Sequence, residues 1–307
     1  MPYFSIIIPT YNRAHLIAAT LRSVMAQTLT DWELLLIDDG STDNTKQEVG
    51  KFTDNRIQYV WQQNAERSAA RNKGITLAKG EVICFLDSDD VWLPTHLEIL
   101  YKAIEQREFT SGVYFTAMRW CFEDGKKQDV VFDPPENQNV VEYVIQNQIA
   151  PSTQCVHREI VAKHKFNISL KINEDVELNT RMVNEYPLFQ IPIVTVEMLV
   201  HNENTKSLHK NYIAPQIEVM KIIFSNPGLK NKISWAFKKQ RMAHLDHSLI
   251  NFYLETKQFS KINKAIIRFL FLYPTHVLNK SKLVLLLYNL PCGSLLKKTV
   301  NWAKGKK

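Results

Sequence analysis

The feature that most limits how this chain can fold is a repeated alternation in its first hundred residues, where short β-branched runs are each followed by a longer stretch of helical periodicity. Phe4 to Ile8 precedes Leu16 to Ala26, and Glu33 to Ile37 precedes Asn44 to Phe52. Arg56 to Trp61 precedes Ser68 to Ala78, and Glu81 to Leu86 precedes Leu93 to Ile104. Parallel strands need crossover connections and helices supply them, so this rhythm predicts an α/β sheet wrapped by helices. Beyond Gly112 the pattern is mixed: a strand over Val113 to Phe122, a charged turn at Asp124-Gly125-Lys126, and helices near Val140 to Gln146 and Asp175 to Glu185. Further helices are expected at 211–225, 231–256, 259–273 and 281–290.

Ligands of such sheets bind outside the carboxyl ends of the strands. The loops at those ends read Pro9-Thr10-Tyr11-Asn12-Arg13, Asp38-Asp39-Gly40-Ser41-Thr42-Asp43 and Asp87-Ser88-Asp89-Asp90, so carboxylates and hydroxyls gather on one edge. If Asp87 to Asp89 is extended, period-two alternation puts its two carboxylates on the same side, one for a ribose and one for a metal. The competing reading is that Asp89 or Asp90 caps the helix starting near Pro94. In the second loop Gly40 suits a turn and Ser41 or Asp43 a helix cap. Two adjacent carboxylates exceed what one cap needs, and Asp39 is the expected acceptor for a nucleobase. Arg67 and Arg71 are either solvated helix residues or cations brought toward a nucleotide.

The nine glycines never fall as Gly-x-Gly or as a Gly-Lys-Ser/Thr loop, which argues against a dinucleotide dehydrogenase and a P-loop NTPase. Acidic loops can instead hold a nucleotide through ribose hydroxyls and a divalent cation on its diphosphate. Four dispersed cysteines (Cys84, Cys121, Cys155, Cys292), with no Cys-x-x-Cys, are expected to be reduced and not to bind zinc. The opening apolar run is too short for a secretory segment, and a cytoplasmic location is expected. Charge divides the 307 residues: residues 1–205 hold 19 basic and 28 acidic side chains, a balance of −9, and 206–307 hold 19 against three, a balance of +16. Two regions, 1–205 and 206–307, are expected to do different jobs.

Together the loops resemble glycosyltransferase family 2, the inverting sugar-nucleotide enzymes of GT-A fold, over about residues 1–205. The resemblance rests on SIIIPTYNR at 5–13, LLIDDGSTD at 35–43, NAERSAARNKGITLAKGEVICFLDSDD at 64–90 and NEDVELNTR at 173–181. It implies a mixed Rossmann-like sheet with helices on both faces, and transfer of a sugar from a nucleotide-diphosphate donor, a UDP-sugar being favoured, to a glycan or lipid-linked acceptor hydroxyl. By the same resemblance Pro9, Thr10 and Tyr11 wall the nucleotide and Asp39 contacts the base. Arg67 and Arg71 lie in the matching nucleotide-side segment. Asp87 and Asp89 match the metal and ribose motif, with Asp89 the more direct ligand of Mn²⁺ or Mg²⁺ and Asp90 in support. Asp175, next to Glu174, matches the general base, although this pair also suits a helix N-terminus. Relatives often place an Arg or His near the diphosphate after the last strand. Here the segment reads His201-Asn202-Glu203-Asn204-Thr205-Lys206-Ser207, leaving His201 and Lys206 as phosphate contacts or as loop residues.

In the basic tail, Phe259, Ile262, Ala265, Ile266, Phe269, Leu270 and Tyr273 form a helical stripe with Lys261, Lys264 and Arg268 off it. The uncharged run Leu283 to Leu296 is broken by Pro291 and Gly293 and is too short to span a bilayer. An anchor to an anionic membrane surface and a helical cap with a solvated basic face both fit, and a nucleic-acid surface is disfavoured. Two other functions compete with sugar transfer. A sugar-nucleotide pyrophosphorylase lacks its N-terminal glycine-rich loop here, and a non-catalytic scaffold would not require Asp87, Asp89 and Asp175 together. Donor sugar, acceptor, linkage and oligomeric state are not encoded in these motifs.

Overall fold

The computed structural model describes residues 1–132, 139–201, 212–258 and 261. The helices expected at 259–273 and 281–290, the run 283–296 and Lys206 lie outside the described residues, apart from Lys261. The chain divides into two compact units, one of residues 1–209 with 226–232, the other of 210–225 with 233–307.

In the first unit the strands are β1 (Phe4–Thr10), β2 (Trp32–Asp38), β3 (Ile57–Trp61), β4 (Val82–Phe85), β5 (Asp90–Trp92), β6 (Val113–Phe122), β7 (Lys127–Val130), β8 (Gln154–His157) and β9 (Leu188–Val200). The helices are α1 (Ile17–Met25), α2 (Thr45–Val49), α3 (Glu66–Leu77), α4 (His96–Glu105), α5 (Val140–Asn147), α6 (Arg158–Lys163) and α7 (Glu174–Val183). One sheet runs β3-β2-β1-β4-β8-β6-β9-β5, with β7 added to β6. The first four strands are parallel, as the alternation predicts, and β8 then runs antiparallel to both β4 and β6. A mixed sheet results.

Every residue of β1 and β4 is buried, as expected for strands covered on both faces. Ile6 opposite Leu34 and Ile8 opposite Leu36 set the β1–β2 register. Ser5, a polar side chain within β1, donates to Glu33 Oε1 at 2.6 Å and accepts from the Gly80 amide at 2.8 Å.

Two local expectations are corrected. Asp87 to Asp89 is a turn and not extended, closed by Asp90 N–H donating to the Asp87 carbonyl at 3.1 Å. Asp90 then opens β5, which pairs antiparallel with β9 through Asp90 opposite Met198. Helix α4 starts only at His96 with Thr95 at its cap, so neither Asp89 nor Asp90 caps it. The reason is long-range: β9 supplies a ladder partner that no local sequence feature announces.

The second unit contains α8 (Ile213–Ser225) and α9 (Trp235–Glu255), which pack on each other. Among the described residues no helix is long and apolar enough to cross a membrane.

Helix α3 approaches β1 closely because Gly74 has no side chain. A Cβ at this position would collide with Ile7 Cγ2. Alanine gains about 1 kcal/mol of helix propensity, whereas overpacking costs about 1–3 kcal/mol. Gly74→Ala is therefore expected to be net destabilising, lowering the urea midpoint with an unchanged slope.

Candidate active site

Because β1 to β4 are parallel, their carboxyl ends lie on one edge, and the loops there are tied to one another. Asn12, in the left-handed region at φ 51°, donates its N–H to Ser41 Oγ at 2.9 Å and accepts from the Thr42 amide at 2.8 Å. Asp43, one residue before the N-cap Asn44 of α2, accepts from Thr45 N–H at 3.0 Å and from Ala14 N–H at 3.1 Å. Gly40 has φ 87°, and a Cβ there would meet the Asn64 amide at 2.9 Å, so glycine is required by conformation and by space.

The paired aspartates at the end of β2 face different surroundings. Asp38 accepts from Ser41 N–H at 2.7 Å and from Tyr59 hydroxyl at 2.6 Å, and so holds the turn. Asp39, also buried, accepts from Gln62 Nε2 at 2.6 Å and from Ala65 N–H at 3.0 Å, both on Oδ1. Its own N–H donates to the Thr10 carbonyl at 2.8 Å, which joins the ends of β1 and β2. Pro9 and Thr10 are buried beside it and Tyr11 is exposed.

The centre of the edge is an ion cluster around Arg71 of α3. Its guanidinium donates to Asp87 Oδ1 at 2.6 Å and to Glu174 Oε1 at 2.8 Å, and its Cζ lies 5.1 Å from the centroid of the Phe166 ring. The Arg71 side chain is 1% exposed. Burial alone would favour loss of its proton, but the two carboxylates hold its pKa above the usual arginine value. Arg71 is thus enclosed, and it can act on a bound nucleotide only through the carboxylates it holds. Arg67, one helical turn earlier and about one-third exposed, approaches Glu174 Oε1 at 3.7 Å.

Glu174 and Asp175 form the first turn of α7, after Asn173 at φ 50°. Glu174 is buried in the ion cluster, while Asp175 keeps a partly open surface. Burial first, then the adjacent Glu174 carboxylate, push the Asp175 pKa up to about 7, against the opposing pull of Arg71. A carboxylate poised there suits proton transfer near neutral pH.

In the turn after β4 the carboxylates separate again. Asp90 is buried, accepts from Ser152 hydroxyl at 2.5 Å, and is pushed well above the usual carboxylate range by burial and then by Asp89 and Asp87. Asp89 lies toward the surface, with its Oδ2 3.1 Å from His201 Nε2. Ser152 went unrecognised in the sequence: its hydroxyl also accepts from Asp87 N–H at 3.1 Å, and its carbonyl accepts from Trp92 Nε1 at 2.8 Å. The only hint was Pro151 opening a helical turn just before a strand. Gln62, the partner of Asp39, carried no signal either.

Four buried atoms on these segments have no hydrogen-bond partner: Thr10 Oγ1, Ser68 Oγ, Arg71 Nε and Asn173 Oδ1. Among the described residues no group of three or more His, Cys, Asp or Glu could enclose a metal ion. Asp89 with His201 offers one carboxylate oxygen and one imidazole nitrogen, a donor set that fits a divalent cation whose remaining ligands come from a diphosphate and water.

Comparisons with known proteins give the family and the fold. The glycosyl transferase family 2 profile matches residues 5–158, and the chain belongs to that family. The Escherichia coli UDP-Glc:alpha-D-GlcNAc-diphosphoundecaprenol beta-1,3-glucosyltransferase WfgD is 47% identical over 96 residues, 31% of this chain and 38% of WfgD. S. aureus TarS in complex with UDP-GlcNAc superposes with a TM-score of 0.63 at 22% identity, covering 83% of this chain and 73% of that one. The mannosyltransferase PcManGT from Pyrobaculum calidifontis, in complex with GDP-Man and Mn²⁺, gives 0.61 at 18% identity over 94% and 81%. The fold is GT-A. The match spans 38%, 33% and 28% of the length of three curated relatives.

Two expectations follow from the ion cluster. Removing Arg71 strands the buried Glu174 carboxylate, and breaking a buried pair typically costs about 3–5 kcal/mol. Arg71→Met should lose stability on that scale in chemical denaturation. For Asp175, the unfolded group ionises near 3.8 and the folded one near 7, so the folded state holds the extra proton between those values. Stability from this group is present below pH 3.8 and is lost as pH rises through about 7. Asp175→Asn should therefore melt above the native chain at pH 8, by on the order of 1–3 kcal/mol, and nearly with it at pH 4.

Proposed function

We propose that the chain is an inverting, metal-dependent glycosyltransferase that moves a sugar from a nucleotide-diphosphate donor, a UDP-sugar being favoured, to the hydroxyl of a glycan or lipid-linked acceptor. The observation that carries this reading is Asp175, raised to about 7 at the start of α7 and joined through Glu174 and Arg71 to Asp87 in the turn after β4. A base and an acidic donor-binding turn are what a single displacement requires, and family membership points the same way.

In this reading Pro9, Thr10 and Tyr11 line the nucleotide, Asp39 accepts from the base, and Arg67 lies on the nucleotide side. Arg71 is a positioning residue that fixes Asp87 and Glu174. Asp87 faces the ribose and diphosphate, Asp89 and His201 would hold Mn²⁺ or Mg²⁺, and Asp90 supports the turn from within. When bound, the cation offsets the negative charge that develops on the departing diphosphate. Asp175 takes the proton from the acceptor hydroxyl as that oxygen bonds to the anomeric carbon. The bond to the diphosphate breaks on the opposite face, the leaving group keeps the electron pair, and the configuration inverts.

The acceptor class draws support from WfgD, whose described acceptor is a diphosphoundecaprenol-linked sugar. Metal use draws support from the shared fold of PcManGT, described with Mn²⁺. A cytoplasmic protein bound peripherally to the inner face of the membrane, through the basic region 206–307, fits such an acceptor. In the second unit Trp235 is 73% exposed, with Lys239 Nζ 4.9 Å from its ring centroid. An aromatic ring beside a cation suits a lipid headgroup layer. A non-catalytic scaffold would have no use for a carboxylate poised near 7.

The test is turnover of a panel of nucleotide sugars with Mn²⁺. The native rate should rise with pH through about 7, following deprotonation of Asp175. Asp175→Asn should lose about 10²–10⁴-fold in kcat, the usual worth of a general base, while donor affinity holds. Near-native turnover by that variant would remove Asp175 from the role.

A further inference from the structure

Asp39, a buried carboxylate just past β2, has an uneven set of partners. Gln62 Nε2 donates to its Oδ1 at 2.6 Å, and Ala65 N–H donates to the same oxygen at 3.0 Å. A carboxylate offers about four acceptor positions, two on each oxygen. Both positions of Oδ1 are therefore filled. Among the described residues nothing donates to Oδ2, which is not sealed from water, and no lysine, arginine or histidine pairs with Asp39. A ligand arriving here meets one acceptor oxygen instead of two.

Gln62 is placed to enforce that restriction. It follows β3 directly, and its backbone N–H donates to the Asp38 carbonyl at 2.8 Å, which continues the β2–β3 ladder by one step. Only the nitrogen of its side-chain amide can donate to a carboxylate, so the bond to Asp39 also fixes which way the amide is turned. Nε2 carries a second N–H that no described residue accepts. Of the two donors on Oδ1, Ala65 supplies a main-chain group at the start of α3, and Gln62 alone supplies a side chain.

We infer that Gln62 is a specificity-determining residue, which by occupying Asp39 Oδ1 makes the site accept a uracil and refuse a guanine. The inference rests on the proposed reading of Asp39 as the acceptor for the base. Uracil presents one imino N–H between two carbonyls. That N–H matches Oδ2, and a neighbouring carbonyl can accept the second N–H of Gln62. Guanine presents an imino and an amino N–H side by side, a pair suited to both oxygens of one free carboxylate. With Oδ1 filled, the amino group meets the Gln62 amide, donor against donor. Turned over, guanine leaves its amino group without Asp39. An unpaired donor in a buried place is costly, and such mismatches are an effective way to exclude the wrong partner.

The test is calorimetric titration of the full chain with UDP and with GDP in the presence of Mn²⁺. The native chain should bind UDP at least about tenfold more tightly than GDP. Gln62→Met keeps the side-chain length and removes its N–H groups, and Gln62→Ala removes the amide altogether. Each should reduce the preference for UDP about tenfold or more, the usual worth of one hydrogen bond to a charged group. Gln62 is partly exposed and lies outside every helix and strand, and melting curves confirm that both variants fold. An unchanged preference in either folded variant would overturn the inference, as would a native chain that binds GDP as tightly as UDP. Both results would leave the nucleotide-donor reading in place. Binding of neither nucleotide would remove that reading, and this inference with it.

Discussion

A single buried cation holds the carboxylate edge together. Arg71 has lost nearly all contact with water, and taking an ion out of water costs several kcal/mol unless partners replace the solvent. Asp87 and Glu174 replace it from opposite sides, one from the turn after β4 and one from the start of α7. The guanidinium therefore fixes the distance between two segments 87 residues apart (174 minus 87). It also sets the electrostatic ground on which Asp175 titrates. Glu174 raises Asp175 while Arg71 lowers it, and burial tips the balance upward.

The same edge shows how one residue type acquires several behaviours. Asp38 is consumed by a turn amide and a tyrosine hydroxyl. Its neighbour Asp39 collects both of its bonds on one oxygen. Asp87 is committed to Arg71, Asp89 lies beside an imidazole, and Asp90 is driven toward its neutral form within the protein. Burial and partner, rather than intrinsic acidity, separate these groups, which is how environments assign distinct roles to chemically identical side chains.

How much of this was legible in the sequence depends on whether the cause was local. The strands β1, β2 and β4 and their helices could be read because a buried parallel strand is largely apolar and its crossover must be amphipathic. The three residues of β5 could not, because Asp90 to Trp92 becomes a strand only when β9 arrives more than a hundred residues later. For the same reason the turn at Asp87 to Asp89 was misread as extended. Gly40 was readable as a turn residue, whereas its closeness to Asn64 was not. The candidate carboxylates were visible as a motif, but the enclosure of Arg71 by Phe166 and Glu174, and the brace from Ser152, depend on contacts that only the fold creates.

The donor set at Asp89 and His201 has a consequence for the proposed reaction. Two protein ligands are too few to hold Mg²⁺ or Mn²⁺ firmly, since such ions keep about six ligands and bind through one or two carboxylates plus substrate phosphates. Each of the two, cation and nucleotide diphosphate, would complete the other's site. By linkage, whatever factor the cation adds to donor affinity the donor must add to cation affinity. Under the proposed reaction, release of the nucleoside diphosphate would loosen the ion as well, and a site completed by substrate oxygens rather than by a closed protein cage would need no separate step to expel the metal.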